Sequence, residues 1–110
     1  MTDLPTVTVG DVDELDDAFL LDVREPAEFE AGHAPGAVLL PLGSLPDGLS
    51  QVPADRTVLC ICRSGGRSAQ ATAFLREQGV DAINLEGGMQ AWSAFGLDVV
   101  RADGSFGTVA

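Results

Sequence analysis

The chain has 110 residues, 45% of them apolar and 21% charged, the proportions of one ordinary folded domain with a single core and no room for a second. Seventeen acids against six arginines and no lysine give a net charge of −11, which argues against nucleic acid or an anionic membrane as partner, since either needs a basic face. No apolar run approaches the ~20 residues of a membrane span, and Met1-Thr2-Asp3-Leu4-Pro5 lacks the basic and apolar stretches of a secretory leader, so a cytoplasmic protein is expected.

Thr6 to Val9 and Phe19 to Val23 read as short strands, separated by an acidic stretch around Val12 and Leu15 long enough for one or two helical turns. Pro26 opens a helix over Ala27 to Ala31, because proline is tolerated in a first helical turn, and Gly32 closes it. Ala37 to Leu40 is a third strand, cut off by Pro41. Residues 42–54, with Gly43, Pro46, Gly48 and Pro53, hold a loose helix or turns. Arg56 to Ile61 forms the fourth strand, Ser68 to Gln78 the best helix, Ala82 to Leu85 a fifth strand and Met89 to Phe95 a last short helix. Residues 1–100 make up the domain. Arg101 to Ala110, aperiodic and with two glycines, is expected to be a frayed tail, with Phe106 its candidate for packing back.

Short, mostly unalternating apolar strands separated by helices imply a buried, largely parallel sheet with helices on both faces. Sites in such folds lie at the carboxyl ends of the strands. Asp22, Cys62 and Glu86 each end a predicted strand, so their loops face one side of the molecule.

Cys62-Arg63-Ser64-Gly65-Gly66-Arg67 joins the fourth strand to the best helix. Gly65 and Gly66 let the chain curl so that successive backbone N–H groups point inward, and the helix offers its positive end to the same spot. Cys62 is therefore a candidate nucleophile, held as thiolate by backbone donors and by nearby Arg63 and Arg67. Arg67 stands where the helix dipole disfavours a cation, so it needs a compensating anion, either a substrate or an acid such as Glu86. Ser64 and Ser68 are candidates to cap the helix or to exchange hydrogen bonds with the thiolate. Cys60 sits inside an apolar strand with no adjacent cation and reads as core.

Asp22, Arg24 and Glu28 offer a carboxylate–guanidinium network of structural rather than catalytic character. His33, the one histidine, precedes Ala34-Pro35-Gly36 in a tight loop that its hydrogen bonding would fix. One histidine and two crowded cysteines are too few for a metal site, and neither metal nor cofactor is expected. Met89, Trp92 and Phe95 space as the buried face of a short helix.

Three segments carry a family resemblance. Asp22 to Ala37, reading DVREPAEFEAGHAPGA, Cys62 to Ser68, reading CRSGGRS, and Glu86 to Trp92, reading EGGMQAW, are similar in kind, order and spacing to the signatures of single-domain rhodaneses from about residue 5 to 100. The resemblance implies a three-layer α/β/α sandwich with a five-stranded, mostly parallel sheet. It implies a sulfurtransferase in which Cys62 carries a persulfide, a small sulfur donor such as thiosulfate or a persulfide, and a thiol, cyanide or protein thiol as acceptor. Arg63, Ser64, Gly65, Gly66, Arg67 and Ser68 match the family's anion-binding loop, with Asp22, Arg24, His33 and Glu86 in support. Rhodaneses specialised for mercaptopyruvate resemble each other in having small neutral residues after the cysteine. Arg63 departs from that pattern and favours thiosulfate or a persulfide donor. Cysteine phosphatases and arsenate reductases place five residues between cysteine and arginine, whereas here there are four, which makes that chemistry a remote alternative. A non-catalytic rhodanese-like interaction module is the nearer one, although inactive members usually resemble the family with the cysteine replaced.

Overall fold

A computed structural model describes residues 4–110; Met1 to Asp3, included above in the reading of the start as leaderless, lie outside the described residues. Five strands, β1 (Thr6–Val7), β2 (Phe19–Asp22), β3 (Val38–Leu39), β4 (Val58–Ile61) and β5 (Ala82–Leu85), form one sheet in the order β1-β5-β4-β2-β3. All four pairings are parallel, with Leu21 opposite Cys60 and Cys60 opposite Asn84 across the centre. The carboxyl ends of all five strands therefore point the same way.

Alternation along β4 divides the core in two. Val58, Cys60 and Cys62 pack with Leu21, Val23, Ala71 and Leu75 on one face, while Leu59 and Ile61 pack with Leu85, Met89, Trp92 and Val99 on the other. Both faces of β4 are buried, which is why its residues read as an unbroken apolar run. The three layers are the expected α/β/α sandwich, with α2 (Gly66–Glu77) on the first face and α3 (Gly88–Ala94) on the second.

Within α2 the buried residues are Ser68, Ala71, Thr72 and Leu75, the i, i+3, i+4, i+7 pattern of a single helix face. The short α1 (Pro26–Ala31) buries none of its residues and is held by its capping box, in which the Glu28 carboxylate accepts the Glu25 N–H at 2.9 Å. The connection around Val12 and the segment after Pro41 form three short 3₁₀ turns, Val9–Glu14, Leu42–Ser44 and Leu49–Gln51, rather than α-helix. No helix among the described residues is long and apolar enough to cross a membrane.

Three local expectations need correction. Phe95, expected with Met89 and Trp92 on the buried face of the last helix, is 63% exposed. Helix α2 begins at Gly66, two residues before the expected start, because Gly65 turns the chain with φ +110° and its carbonyl already accepts the Ala69 N–H. Ser68 is thus inside the helix, and neither it nor Ser64 provides a side-chain cap. The final residues are not frayed. Val100 forms an antiparallel bridge to His33 on one side and to Phe106 on the other, Thr108 N–H bonds the Ala31 carbonyl at 2.9 Å, and Val109 packs against the second core. Phe106 itself is 78% exposed, so main-chain bonding and Val109 hold this segment while the aromatic ring stays outside.

Candidate active site

β4 runs straight into Cys62, whose carbonyl and that of Arg63 accept the Met89 and Gln90 N–H groups of α3 at 2.8 and 3.0 Å. The first turn of α3 is thereby clamped to the start of the loop. Gly88 makes the clamp possible: its φ is +54°, and a Cβ there would meet the Cys62 carbonyl oxygen at 2.4 Å. Gly65 then reverses the chain so that its own N–H points back at the thiol.

Cys62 is 1% exposed, and its Sγ lies 3.0 Å from the Gly65 nitrogen and 3.3 Å from the Ser68 hydroxyl. Burial pushes this thiol up, but the Ser68 hydroxyl and the N–H groups of Ser68, Gly65 and Ser64 outweigh it, leaving the group below its ordinary value. Cys60 contrasts with it: burial, opposed by the Thr72 hydroxyl and reinforced by Cys62, raises its thiol to about 11. Both cysteines are free thiols. On one strand, two residues apart, a donor-rich loop lowers one sulfur and an apolar setting raises the other.

The expected partners of the arginines differ from those found. Arg67 bonds Glu28 in a bidentate pair at 2.7 and 2.8 Å, and neither Nη is left for Glu86. The Arg67 pair, followed by the Glu25 N–H, draws Glu28 down to about 2 against the opposing effect of burial. Arg63 is exposed and donates from Nε to the Ala110 carbonyl at 2.9 Å. Of the two loop cations, then, one is committed to a carboxylate and the other lies at the rim. Gly66 is open, with nothing near the position of its missing Cβ.

The supporting residues fall into two groups. Asp22 and Arg24 are fully buried and paired at 2.8 Å, and Arg24 also donates to the Gly32 carbonyl at 2.8 Å, tying the end of β2 to the end of α1. His33 stacks on Phe29 with ring centroids 3.8 Å apart, and its Nδ1 donates to the Phe29 carbonyl at 2.8 Å. These three hold the neighbouring loop without reaching Cys62. Glu86 is exposed, and its side chain makes no hydrogen bond among the described residues.

Asn84 is the residue that the sequence reading passed over. It lies 7% exposed on β5, accepts from Ser68 at 2.6 Å and donates to the Gly65 carbonyl at 3.3 Å. Its only signal was one polar side chain inside Ala82-Ile83-Asn84-Leu85, an otherwise apolar strand.

Over residues 9–95 the sequence matches the family described as rhodanese-like domain. A sulfurtransferase of Allochromatium vinosum is 44% identical over 92 residues, which cover 83% of this chain and 86% of that protein. A putative sulfurtransferase of Bacillus subtilis is 40% identical over 77 residues, covering 70% of this chain and 75% of its own length. The crystal structure of a rhodanese-related protein from Thermoplasma volcanium is similar with a TM-score of 0.82 at 33% identity, over 87% of this chain and 97% of that one.

Proposed function

The chain belongs to the rhodanese-like domain family, and from that premise we propose that it is a sulfurtransferase working through a persulfide on Cys62. The observation that carries this reading is the setting of Sγ, buried yet held below its ordinary pKa by the Ser68 hydroxyl and three main-chain N–H groups. A thiolate so placed attacks the outer sulfur of thiosulfate or of a persulfide. The S–S bond of the donor breaks, its electron pair leaves with sulfite or with a thiolate, and Cys62 becomes Cys62–S–S⁻. Cyanide, a small thiol or a protein thiol then takes the outer sulfur and returns the Cys62 thiolate.

The same N–H groups stabilise the outer sulfur of the persulfide once it carries the negative charge. Arg63 at the rim pairs with no acidic side chain, and it attracts the donor's oxyanion and biases donor choice. Arg67, neutralised by Glu28, fixes the position of the helix start instead of meeting the donor directly. With its thiol raised to about 11, Cys60 stays protonated at neutral pH and does not compete for sulfur. The phosphatase alternative loses support on two counts, the short loop and an arginine already saturated by a carboxylate.

Thiosulfate-to-cyanide transfer, followed as thiocyanate in the native chain and in Cys62→Ser, tests the proposal. Turnover in the first and none in the second is expected. Intact-mass measurement after donor exposure should show one added sulfur atom on the native chain alone. A chain that gains no sulfur from thiosulfate or from persulfide donors is a binding module instead.

A further inference from the structure

Asn84 stands on β5 opposite Cys60 of β4, in the interior of the sheet. A buried amide needs partners at both ends. Its Nδ2 donates to the Gly65 carbonyl at 3.3 Å, which sets the amide one way round and turns Oδ1 toward the Ser68 hydroxyl 2.6 Å away. Ser68 is fully buried, and the same hydroxyl lies 3.3 Å from Cys62 Sγ. A hydroxyl has one proton to donate. The amide oxygen and the sulfur therefore compete for it.

We propose that Asn84 is a positioning residue that holds the Ser68 proton while Cys62 is a thiol and yields it to the sulfur when the thiol ionises. In the first state the Cys62 S–H donates to Ser68 Oγ, and the Ser68 O–H donates to Asn84 Oδ1. In the second the thiol proton has passed to solvent, the hydroxyl has rotated about its C–O bond onto the sulfur, and Oδ1 has given up its donor. No heavy atom moves. Asn84 thus favours the neutral thiol and limits how far Ser68 assists ionisation. The inference rests on the reading of Cys62 as nucleophile given above.

Other charges surround this exchange without entering it. The charged and titratable groups coupled to the sulfur are Cys60 of β4 and Arg67 of α2 with its partner Glu28 of α1, while the Asp22–Arg24 pair at the end of β2 is tied to its own loop. None of these side chains bonds the hydroxyl of Ser68 or the amide of Asn84. The Gly65 carbonyl has a second donor besides Asn84, the Ala69 N–H at 3.1 Å.

The test is the ultraviolet thiolate absorbance of the protein against pH, without any donor, in the native chain, Asn84→Ala, Ser68→Ala and the double variant, with Cys62→Ser as the blank that leaves Cys60 alone. Asn84→Ala should lower the Cys62 midpoint by about 0.5 to 1 unit, the scale of one neutral hydrogen bond released to the sulfur. Ser68→Ala should raise it, and in the Ser68→Ala background the Asn84 effect should vanish. Asn84→Val, which offers Ser68 no side-chain acceptor, should reproduce the downward shift and serves if the alanine variant does not fold. A midpoint that rises or stays put on removing Asn84, or that shifts equally in both backgrounds, overturns the proposal and leaves Asn84 as a brace of the Gly65 turn. Thiocyanate production is read separately. Its absence, with no sulfur gained from thiosulfate or persulfide donors and the coupled titration intact, removes the sulfurtransferase reading alone, and turnover with uncoupled titrations removes this inference alone.

Discussion

The bidentate pair of Glu28 and Arg67 makes part of the stability of this chain depend on pH. Glu28 falls from 4.5 to about 2 on folding, chiefly through Arg67, so the folded state binds its proton more weakly than the unfolded chain. The contribution is complete above pH 4.5 and is lost as pH falls toward 2. The shift corresponds to about 3 kcal/mol at most, and with the Arg67 side chain 35% exposed to screening solvent, about 1–2 kcal/mol is the expected yield. Glu28→Gln should cost that much in urea denaturation at neutral pH and almost nothing near pH 2, whereas an equal loss at both would show that the pair contributes no net charge interaction. Cys62 and its loop were legible in the sequence, since a thiol before paired glycines and an arginine is a local pattern. The partner of Arg67 was not, because Glu28 lies 39 residues away and only the pairing of β2 beside β4 brings their following loops together. Asn84 was hidden for another reason: a single polar residue in a strand has no spacing that announces its partners.

Among the elements, strands and helices followed from their apolar patterns, and the differences concentrate at the ends. Two glycines weaken any helix signal, so the start of α2 at Gly66 was displaced in the reading toward Ser68. The last segment has no sequence signal, because it is held by main-chain bonds to Ala31 and Val99, which leave no mark on composition. The clamp of α3 onto the loop yields a sharp prediction. Gly88→Ala combines φ +54° with a Cβ that would overlap the Cys62 and Arg63 main chain, so the α3 start or the loop must shift. A loss of about 2 kcal/mol or more in denaturant unfolding is expected, together with a fall in sulfur transfer, because the Cys62 carbonyl moves with its thiol. Gly66→Ala, in open space just inside the helix, is the matched control and should be neutral or slightly stabilising in the same unfolding measurement. If the two variants unfold alike, the close approach of Gly88 is not what sets the loop.

Across the whole molecule the charge is lopsided. Four of the six arginines are paired with acidic side chains, which leaves Arg63 and Arg101 without such a partner among the described residues. A donor dianion approaches a body of net charge −11 and extents 37 × 29 × 24 Å through one local cation. At about 10 mM salt the screening length of about 30 Å lets the entire body repel it, while at about 150 mM, with a length of about 8 Å, only the neighbourhood of the loop acts. The kcat/KM for thiosulfate should therefore rise by roughly 3- to 10-fold between those salt concentrations, and further salt should then weaken it by screening Arg63. A monotonic fall from the lowest salt would mean that Arg63 outweighs the body at every distance. The holding of Sγ in part by the peptide backbone has a consequence for how such a domain changes over generations. Substitution cannot delete a main-chain N–H except by proline, so these donors to Cys62, unlike the Ser68 hydroxyl, are nearly immune to drift in side chains. On the proposed function, variation is channelled to the rim, where a substitution at Arg63 would alter which donor is accepted while the means of carrying sulfur stayed the same.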